Sequence, residues 1–291
     1  MIPTTGDVIL VKPAPSLSVQ PIEQSVCRYL GYQPPASESI PTAYCHHWCD
    51  FGTAPDENLV AAVPIHIAVD SDHGRLTLID VSAAEAKQIQ QTLNQFLAED
   101  GTQLSFTSPE RWYLHGCAME SIKQLDSLPA PVLAGRNVGH FLPRLEGAAS
   151  WRRLLTEVQM ALHDHPVNTA RSGQQLSING FWFWGAFSLD STPIERSIEP
   201  AAVNLVFAND AFTRGLCRAA GIACRALSEL DGADDLSTHA SLCVVNDDQA
   251  ESCQQLLLQK LQLREVGSLT IDDGVVVQKE RVTKPWWRRW L

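Results

Sequence analysis

The polar residues best suited to bind a ligand are concentrated between His163 and Gly185. This stretch, HDHPVNTARSGQQLSINGFWFWG, places histidine, asparagine and arginine directly before two tryptophans. Hydrogen-bonding groups beside an aromatic wall are typical of a small-molecule pocket. The candidate ligand-binding residues are Gln159, His163, His165, Asn168, Arg171, Asn179, Trp182 and Trp184. An alternative stays open, in which the asparagines and the arginine bond a loop backbone while the tryptophans fill the core.

The residue types in this stretch favour an anionic ligand. Arg171 can form two parallel hydrogen bonds with a carboxylate or a phosphate. His163 falls at the end of a predicted helix, where the helix dipole favours a protonated imidazole. The expected ligand is therefore a small phosphorylated or carboxylated molecule, oriented by the asparagine side chains.

Two further segments carry chemically active residues but weaker patterns. CHHWCD, from Cys45 to Asp50, offers thiol, imidazole and carboxylate, which are all zinc ligands. No second CxxC or HxxxH pair completes a zinc site, so a loop with buried thiols is favoured and metal binding is the alternative. Cys117 lies near His115, but closeness in sequence does not make a nucleophile and base pair. The chain also lacks G-x-S-x-G, and no catalytic residue is predicted.

Two amphipathic helices are expected to position these residues. Ser82 and Glu85 have the spacing of a capping box, and apolar residues follow on one face up to Leu97. The second helix begins after Ser150, its predicted N-cap, and ends near Asp164 because Pro166 follows. On that helix, Gln159 and His163 lie four residues apart along one edge.

The remaining pattern alternates between strands and helices. INGFWFWGAFS predicts a buried strand, and residues 60–120 predict a β-β-α-β-β arrangement, whereas residues 13–42 look loop-like. The fold class is therefore α/β, with mixed sheets and flanking helices. Three regions are expected along the chain: an irregular segment at 1–59, an α/β module at 60–200 with a signature motif at 151–185, and a second α/β module with a basic aromatic tail at 201–291.

Composition limits the classes of partner. The formal net charge of −11 argues against nucleic-acid binding, which requires a basic surface. No apolar run approaches the length of a membrane span. The eight cysteines are scattered, and the start of the chain lacks a secretory pattern, so reduced thiols and a cytoplasmic location are expected. The closing KPWWRRWL could pack against the domain or dock onto a protein partner.

Several of these motifs together resemble one family. The pattern W-x-x-x-x-T-E-x-Q-M-x-L-H-x-H-P-V-N-x-x-R, followed by I-N-G-x-W-x-W-G, resembles the bacterial RpfE-type regulatory proteins. PIHIAVD, LNQFLAEDG, RWYL, AGRNVGHFLP and DDGVVVQKERVTKPWWRRW resemble the same family in the same order. That family is similar to cofactor-independent phosphoglycerate mutases, whose archaeal members carry a similar HPVN…R…G…N passage.

The mutase resemblance implies an alkaline-phosphatase-like core, a nucleophilic serine and two divalent metal ions held by Asp and His. This sequence has no early Asp-Gly element leading to such a serine and no cluster of Asp and His spaced as two metal sites. SDHG, from Ser71 to Gly74, resembles a metal-binding turn of that superfamily, although a solvated turn is favoured. The resemblance therefore implies a degenerate core and a non-catalytic regulatory or small-anion-binding protein without a cofactor.

Two other functions stay open. One is a metal-dependent phosphomutase or phosphatase for a small phosphorylated acid, using Mn²⁺ or Mg²⁺. Its metal ligands would come from Asp70, Asp72, His73, His46 and His47. The other is a protein–protein interaction module that uses the aromatic tail.

Overall fold

Two groups of residues fold around separate β-sheets. The computed structural model describes residues 5–13, 22–33, 40–70, 73–116, 125, 127–138, 149–171, 173–190, 195–196, 203–273 and 276–281. Residues 34–194 form the central unit, and residues 1–33 together with 195–291 form the terminal unit. The sequence-based boundaries near 59 and 200 divide the chain into consecutive regions. In the structure, by contrast, the terminal unit combines residues from the N-terminal and the C-terminal parts of the chain.

The elements alternate as the sequence predicts. The helices are α1 (Ile22–Tyr29), α2 (Thr42–Phe51), α3 (Ala83–Leu97), α4 (Ala130–Leu133), α5 (Ala149–His163), α6 (Pro166–Arg171), α7 (Ala211–Ala220) and α8 (Asp247–Gln262). The strands are β1 (Asp7–Val11), β2 (Tyr32–Gln33), β3 (Leu59–Asp70), β4 (His73–Leu78), β5 (Thr102–Ser108), β6 (Arg111–Gly116), β7 (Gly180–Phe187), β8 (Glu195–Arg196), β9 (Leu205–Ala208), β10 (Ala223–Arg225), β11 (Ser241–Val244), β12 (Ser268–Asp272) and β13 (Val277–Arg281).

The terminal unit contains a six-stranded sheet with the order β10-β9-β11-β1-β12-β13. All neighbouring pairs are parallel except β12 and β13, which pair antiparallel. The inner strands are short and apolar, as is usual when both faces of a parallel sheet are covered. Leu10, Phe207 and Leu257 belong to the buried core of this unit.

The central unit is built on an antiparallel sheet around the long strand β3. β6 pairs with the first part of β3 and β4 with its last part, on the same edge, and β5 pairs with β6. β7 pairs with β3 along the opposite edge. α3 and α5 pack on β5 and β7 respectively, and α2 packs on β3 and β7. With a mostly parallel sheet in one unit and an antiparallel sheet in the other, the predicted α/β class with mixed sheets is confirmed.

Local signals account for the best-predicted helix. Ser82 caps α3 by accepting a hydrogen bond from the Glu85 backbone N–H, and the Glu85 carboxylate accepts one from the Ser82 backbone N–H. The apolar stripe of this helix is buried, from Ala86 through Leu93 to Leu97. The predicted capping box and core face of α3 are both confirmed.

Close approach of backbone explains one glycine of β7. Gly185 has φ +58°, and a Cβ atom there would lie 2.5 Å from the Thr42 Cβ atom. The glycine therefore allows the first turn of α2 to lie directly against β7.

Several sequence-based expectations were wrong. Residues 13–42 are not only loop, because they contain α1 and β2, and Cys45 to Asp50 lies in α2 rather than in a loop. α2 carries no side-chain N-cap, so the usual start signal is missing. Ser150 lies inside α5 rather than capping it, and the passage after Pro166 forms the short helix α6.

No helix in the described parts of the chain combines the length and apolar character of a membrane-spanning segment. The cysteines of these same parts are free thiols.

Candidate functional site

Arg171 is a buried structural cation. Its side chain is 5% exposed, and its Nε and Nη2 atoms donate to the Glu85 carboxylate at 2.7 and 3.2 Å. Nη2 also donates to the Asp80 carbonyl at 2.5 Å, and Nη1 to the Leu176 carbonyl at 3.2 Å. The hydrogen bond from Arg171 is the largest cause that lowers the pKa of Glu85 to about 2. An anion at this position would have to displace Glu85.

His165 is also engaged within the protein. Its Nε2 atom lies 2.9 Å from the Thr92 hydroxyl, and its Nδ1 atom accepts a hydrogen bond from the Val167 backbone N–H. Burial lowers the pKa of His165, which favours the neutral imidazole. Since Nδ1 accepts, Nε2 carries the proton and donates to Thr92. The imidazole therefore connects the start of α6 to α3.

The two asparagines satisfy backbone groups. The Asn168 amide donates to the carbonyls of Leu162 and Ile178, and its Oδ1 atom accepts from the Ile178 N–H at 2.8 Å. The Asn179 side chain accepts from the Ile67 N–H at 2.8 Å and donates to the Ile67 carbonyl at 2.9 Å. Asn179 thus extends the β3–β7 ladder with its side chain by one more pair of hydrogen bonds.

The two tryptophans are buried. The Trp182 indole N–H donates to the Leu128 carbonyl at 2.9 Å. The Trp184 Nε1 atom is enclosed and has no hydrogen-bond partner among the described residues. Both rings belong to the apolar cluster on the side of the sheet that carries α2 and α4.

Gln159 and His163 remain on the exposed edge of α5, as their spacing predicted. The His163 side chain is 82% exposed, and its Nε2 atom lies 3.9 Å from the Asp164 carboxylate. The Gln159 side chain lines the mouth of a cavity. Because other predicted residues bond the surrounding backbone, the eight do not converge on one anion, and their role in ligand binding stays a prediction.

The cavity brings three of the predicted residues together. It has a volume of about 230 Å³ in the central unit, and most of its wall is apolar. Its lining residues are Ile65, Ile67, Val69, Leu125, Ser127, Trp151, Leu155, Gln159, Asn179, Gly180, Phe181, Trp182 and Phe183. Ser127 donates to the Phe183 carbonyl at 2.5 Å, and Asn179 is bonded to Ile67. Gln159 is the lining residue whose polar group has no hydrogen bond within the described parts of the chain.

Sequence reasoning missed most of this wall. Trp151 and Leu155 lie one turn apart on the apolar stripe of α5, and Phe181 lies on the neighbouring strand β7. The stripe was visible in the sequence, but it indicated a core face rather than a cavity. Only the packing of α5 against β7 shows that the face leaves a space.

The segment Cys45 to Asp50 uses its polar groups internally. The Asp50 carboxylate accepts hydrogen bonds from Tyr113 at 2.7 Å, from Thr107 at 2.5 Å and from Arg111. Burial, followed by the nearby Arg111 charge, lowers the pKa of His46 to about 4. Asp50 therefore joins α2 to the hairpin of β5 and β6.

The alternative metal site is not assembled from described residues. Asp70 and His73 are register partners across the β3–β4 hairpin, while Ser71 and Asp72 lie outside the described residues. His47 contacts the Thr53 carbonyl through Nδ1 at 3.0 Å. Within the described ranges, no group of three or more His, Cys, Asp or Glu side chains is placed to hold a metal ion. Cys117 and the tail 282–291 also lie outside those ranges.

Comparisons with known proteins indicate the fold alone. No protein-family model and no curated protein match the chain. The cofactor-independent phosphoglycerate mutase from Thermoplasma acidophilum is 14% identical over 94% of this chain and 88% of its own, with a TM-score of 0.39, a likeness too weak to bear on fold or activity. The PH0037 protein from Pyrococcus horikoshii is 11% identical over 94% of this chain and 83% of its own, with a TM-score of 0.51. The chain is thus similar in fold to PH0037.

Proposed function

We propose that the chain is a regulatory protein whose central unit binds a small carboxylic acid with an apolar body. The cavity lined by Trp151, Phe181 and Trp182, with Gln159 at its mouth, is the observation that carries this proposal. An engineered apolar cavity of about 150 Å³ is large enough to bind benzene. A space of about 230 Å³ therefore suits a somewhat larger aliphatic or aromatic group.

The polar end of the ligand is assigned to the exposed edge of α5. Gln159 offers an amide donor at the mouth, and His163 lies one turn further along the same edge. His163 offers a further ring N–H donor to an anionic group at this edge. This proposal keeps the carboxylated ligand predicted from the sequence but moves its anionic group from Arg171 to α5.

A phosphorylated ligand fits this cavity less well. A phosphate carries more charge than a carboxylate at neutral pH, and its desolvation against an aromatic wall is correspondingly unfavourable. The resemblance to RpfE-type proteins implies that the chain is a relative of the mutases, with a degenerate alkaline-phosphatase-like core that no longer transfers phosphate. The ion pair of Arg171 with Glu85 supports that interpretation, because Arg171, the arginine that the signature motif specifies, is already paired.

Thermal unfolding with defined ligands tests the proposal. Octanoate is the probe for an apolar acid, and 3-phosphoglycerate with and without Mn²⁺ tests the mutase alternative. A ligand at 100 times its Kd stabilises the folded state by about 2.7 kcal/mol, which is readily measured. We expect stabilisation by octanoate that does not depend on Mn²⁺. Stabilisation by 3-phosphoglycerate alone, dependent on Mn²⁺, would favour the phosphatase function instead.

Two tryptophan variants on α5 locate the binding. Leu155→Trp adds an indole to the cavity wall and should abolish the octanoate effect by filling the space. Met160→Trp makes the same chemical change on the same helix at a residue that is 72% exposed and does not line the cavity, so it should bind normally. Equal octanoate binding by both variants would show that the acid binds elsewhere.

A further inference from the structure

We propose that Ser105, His115 and Glu57 form a hydrolytic site for short carboxylic esters. The Ser105 hydroxyl lies 2.6 Å from His115 Nε2, and His115 Nδ1 lies 2.8 Å from Glu57 Oε1. Both distances are within the range for a nucleophile, a general base and the group that orients the base. This site is independent of the cavity, since none of the three residues lines it.

The sheet holds these residues in fixed positions. Ser105 lies in the middle of β5 opposite Tyr113, so His115 is its diagonal neighbour on β6. His115 in turn pairs with Leu59 at the start of β3, and Glu57 lies two residues before that position. Three distant parts of the sequence are therefore brought together by backbone pairing between strands.

The hydrogen bonds define the protonation states needed for catalysis. An ionised Glu57 only accepts, so His115 Nδ1 must carry the proton that it donates to this carboxylate. In the neutral imidazole, His115 Nε2 has a free lone pair and accepts a hydrogen bond from the Ser105 hydroxyl. This is the arrangement in which an imidazole removes a proton from a serine nucleophile.

Asp50 holds the residues around Ser105. It accepts from Tyr113, which lies opposite Ser105, and from Thr107, two residues further along β5. Burial and the Asp50 carboxylate both raise the pKa of Tyr113, so its phenol stays neutral and donates to Asp50. Arg111 is also bonded to Asp50. Because every second residue of a strand lies on the same face, Arg111 shares its face of β6 with Tyr113 and His115 and supplies a positive charge there.

The site is open enough for an external substrate. The His115 side chain is 19% exposed and that of Glu57 is 46% exposed, and Ser105 is half-buried. A half-exposed position on a sheet face suits a small acyl group. We therefore assign short esters, rather than long acyl chains, as the substrate class.

The reaction proceeds in two balanced steps. Ser105 Oγ attacks the ester carbonyl carbon while His115 Nε2 takes the hydroxyl proton; the carbon–oxygen bond to the alcohol then breaks, and His115 protonates the departing oxygen. Water next attacks the acyl-serine and gives a proton to His115, which returns it to Ser105 Oγ as the acid leaves. Glu57 remains ionised and stabilises the imidazolium in both steps.

Mass spectrometry of the full chain is the decisive experiment. A fluorophosphonate probe should phosphonylate Ser105 with loss of fluoride, and p-nitrophenyl acetate should give a transient acetyl group at the same residue. His115→Gln should slow Ser105 labelling at least about 100-fold, the usual contribution of a general base. Glu57→Gln should slow it less, because an amide oxygen can still accept from Nδ1.

Ser108→Ala is the matched control, since it removes another serine of β5 that bonds neither His115 nor Glu57. This variant should label normally, and near-UV circular dichroism should confirm that every variant is folded. Exposed histidines and thiols hydrolyse activated esters slowly, so the position of the adduct decides the result. No probe on Ser105 of the wild type, or equal labelling in folded His115→Gln, would overturn the proposal.

Discussion

The stretch around Arg171 and the sheet face around Ser105 differ in how their polar groups are used. Around Arg171, polar residues are dense in the sequence, yet the guanidinium is bonded to Glu85 and to two backbone carbonyls. Around Ser105, the sequence shows no motif, yet a serine, an imidazole and a carboxylate are aligned and partly open to solvent. The comparison teaches that polar density along the chain predicts a buried network as readily as a binding site.

Replacing Arg171 is expected to give the largest effect on stability. Arg171→Ala removes the guanidinium donors of two carbonyls and of Glu85, which keeps only its hydrogen bonds from Ser82. Losing one partner of a largely buried ion pair typically costs about 3 kcal/mol. Urea unfolding should show this loss. At a temperature where the variant is still folded, octanoate affinity and Ser105 labelling should be unchanged. If the variant had normal stability but no longer bound octanoate, Arg171 would be a ligand-binding residue rather than a structural one.

Acid unfolding tests the same ion pair without removing the arginine. The pKa of Glu85 is lowered to about 2, so its contribution is fully present above about pH 4.5 and is lost as the pH falls toward 2. The free energy of unfolding of the wild type should fall over this interval by about 3 kcal/mol more than that of Glu85→Gln, which cannot titrate. Parallel pH curves for the two proteins would show that Arg171 does not hold Glu85 in solution.

Asp50→Asn tests the support of the Ser105 face. An asparagine has one acceptor oxygen for Tyr113, Thr107 and Arg111, so its amide NH2 group faces at least one of these donors, at a cost of about 2 kcal/mol. Ser105 labelling by the fluorophosphonate should also slow, although Asp50 bonds none of the three site residues. Tyr113→Phe is the control, because it removes one donor and leaves the Asp50 carboxylate in place. Unchanged labelling in Asp50→Asn would show that this network does not position Ser105.

The sequence predicted the elements whose signals are local. α3 has a capping box and an apolar stripe, α5 ends where Pro166 requires, and β7 is an apolar run, so each was visible within a short window. α2 was missed because its start has no side-chain cap and the polar CHHWCD lies within it. Such a helix is stabilised by packing on β3 and β7 rather than by its own propensity.

The candidate sites were less predictable because they depend on contacts across the sheet. Ser105 and His115 meet through the register of β5 and β6, and Glu57 joins them through the register of β3. A shift of one residue would turn alternate side chains to the opposite face, and a single sequence does not reveal the register. For the same reason, Asn179 looked like a ligand donor, although its side chain extends the pairing of β7 with β3.

Ser82→Ala is expected to have the smallest effect, and it separates the helix cap of α3 from the ion pair between Arg171 and Glu85. The Ser82 hydroxyl donates to Glu85 Oε2 at 2.7 Å and accepts from the Glu85 backbone N–H, so the variant loses the cap of α3 at a cost of about 1 kcal/mol. Arg171 keeps its bond to Glu85 Oε1, and the acid-dependent loss of stability should therefore remain. Thermal unfolding at pH 7 and pH 3 measures both quantities. Loss of the acid dependence in Ser82→Ala would mean that the Ser82 cap, rather than Arg171, lowers the pKa of Glu85. It would also mean that Arg171 is bonded to Glu85 only weakly in solution.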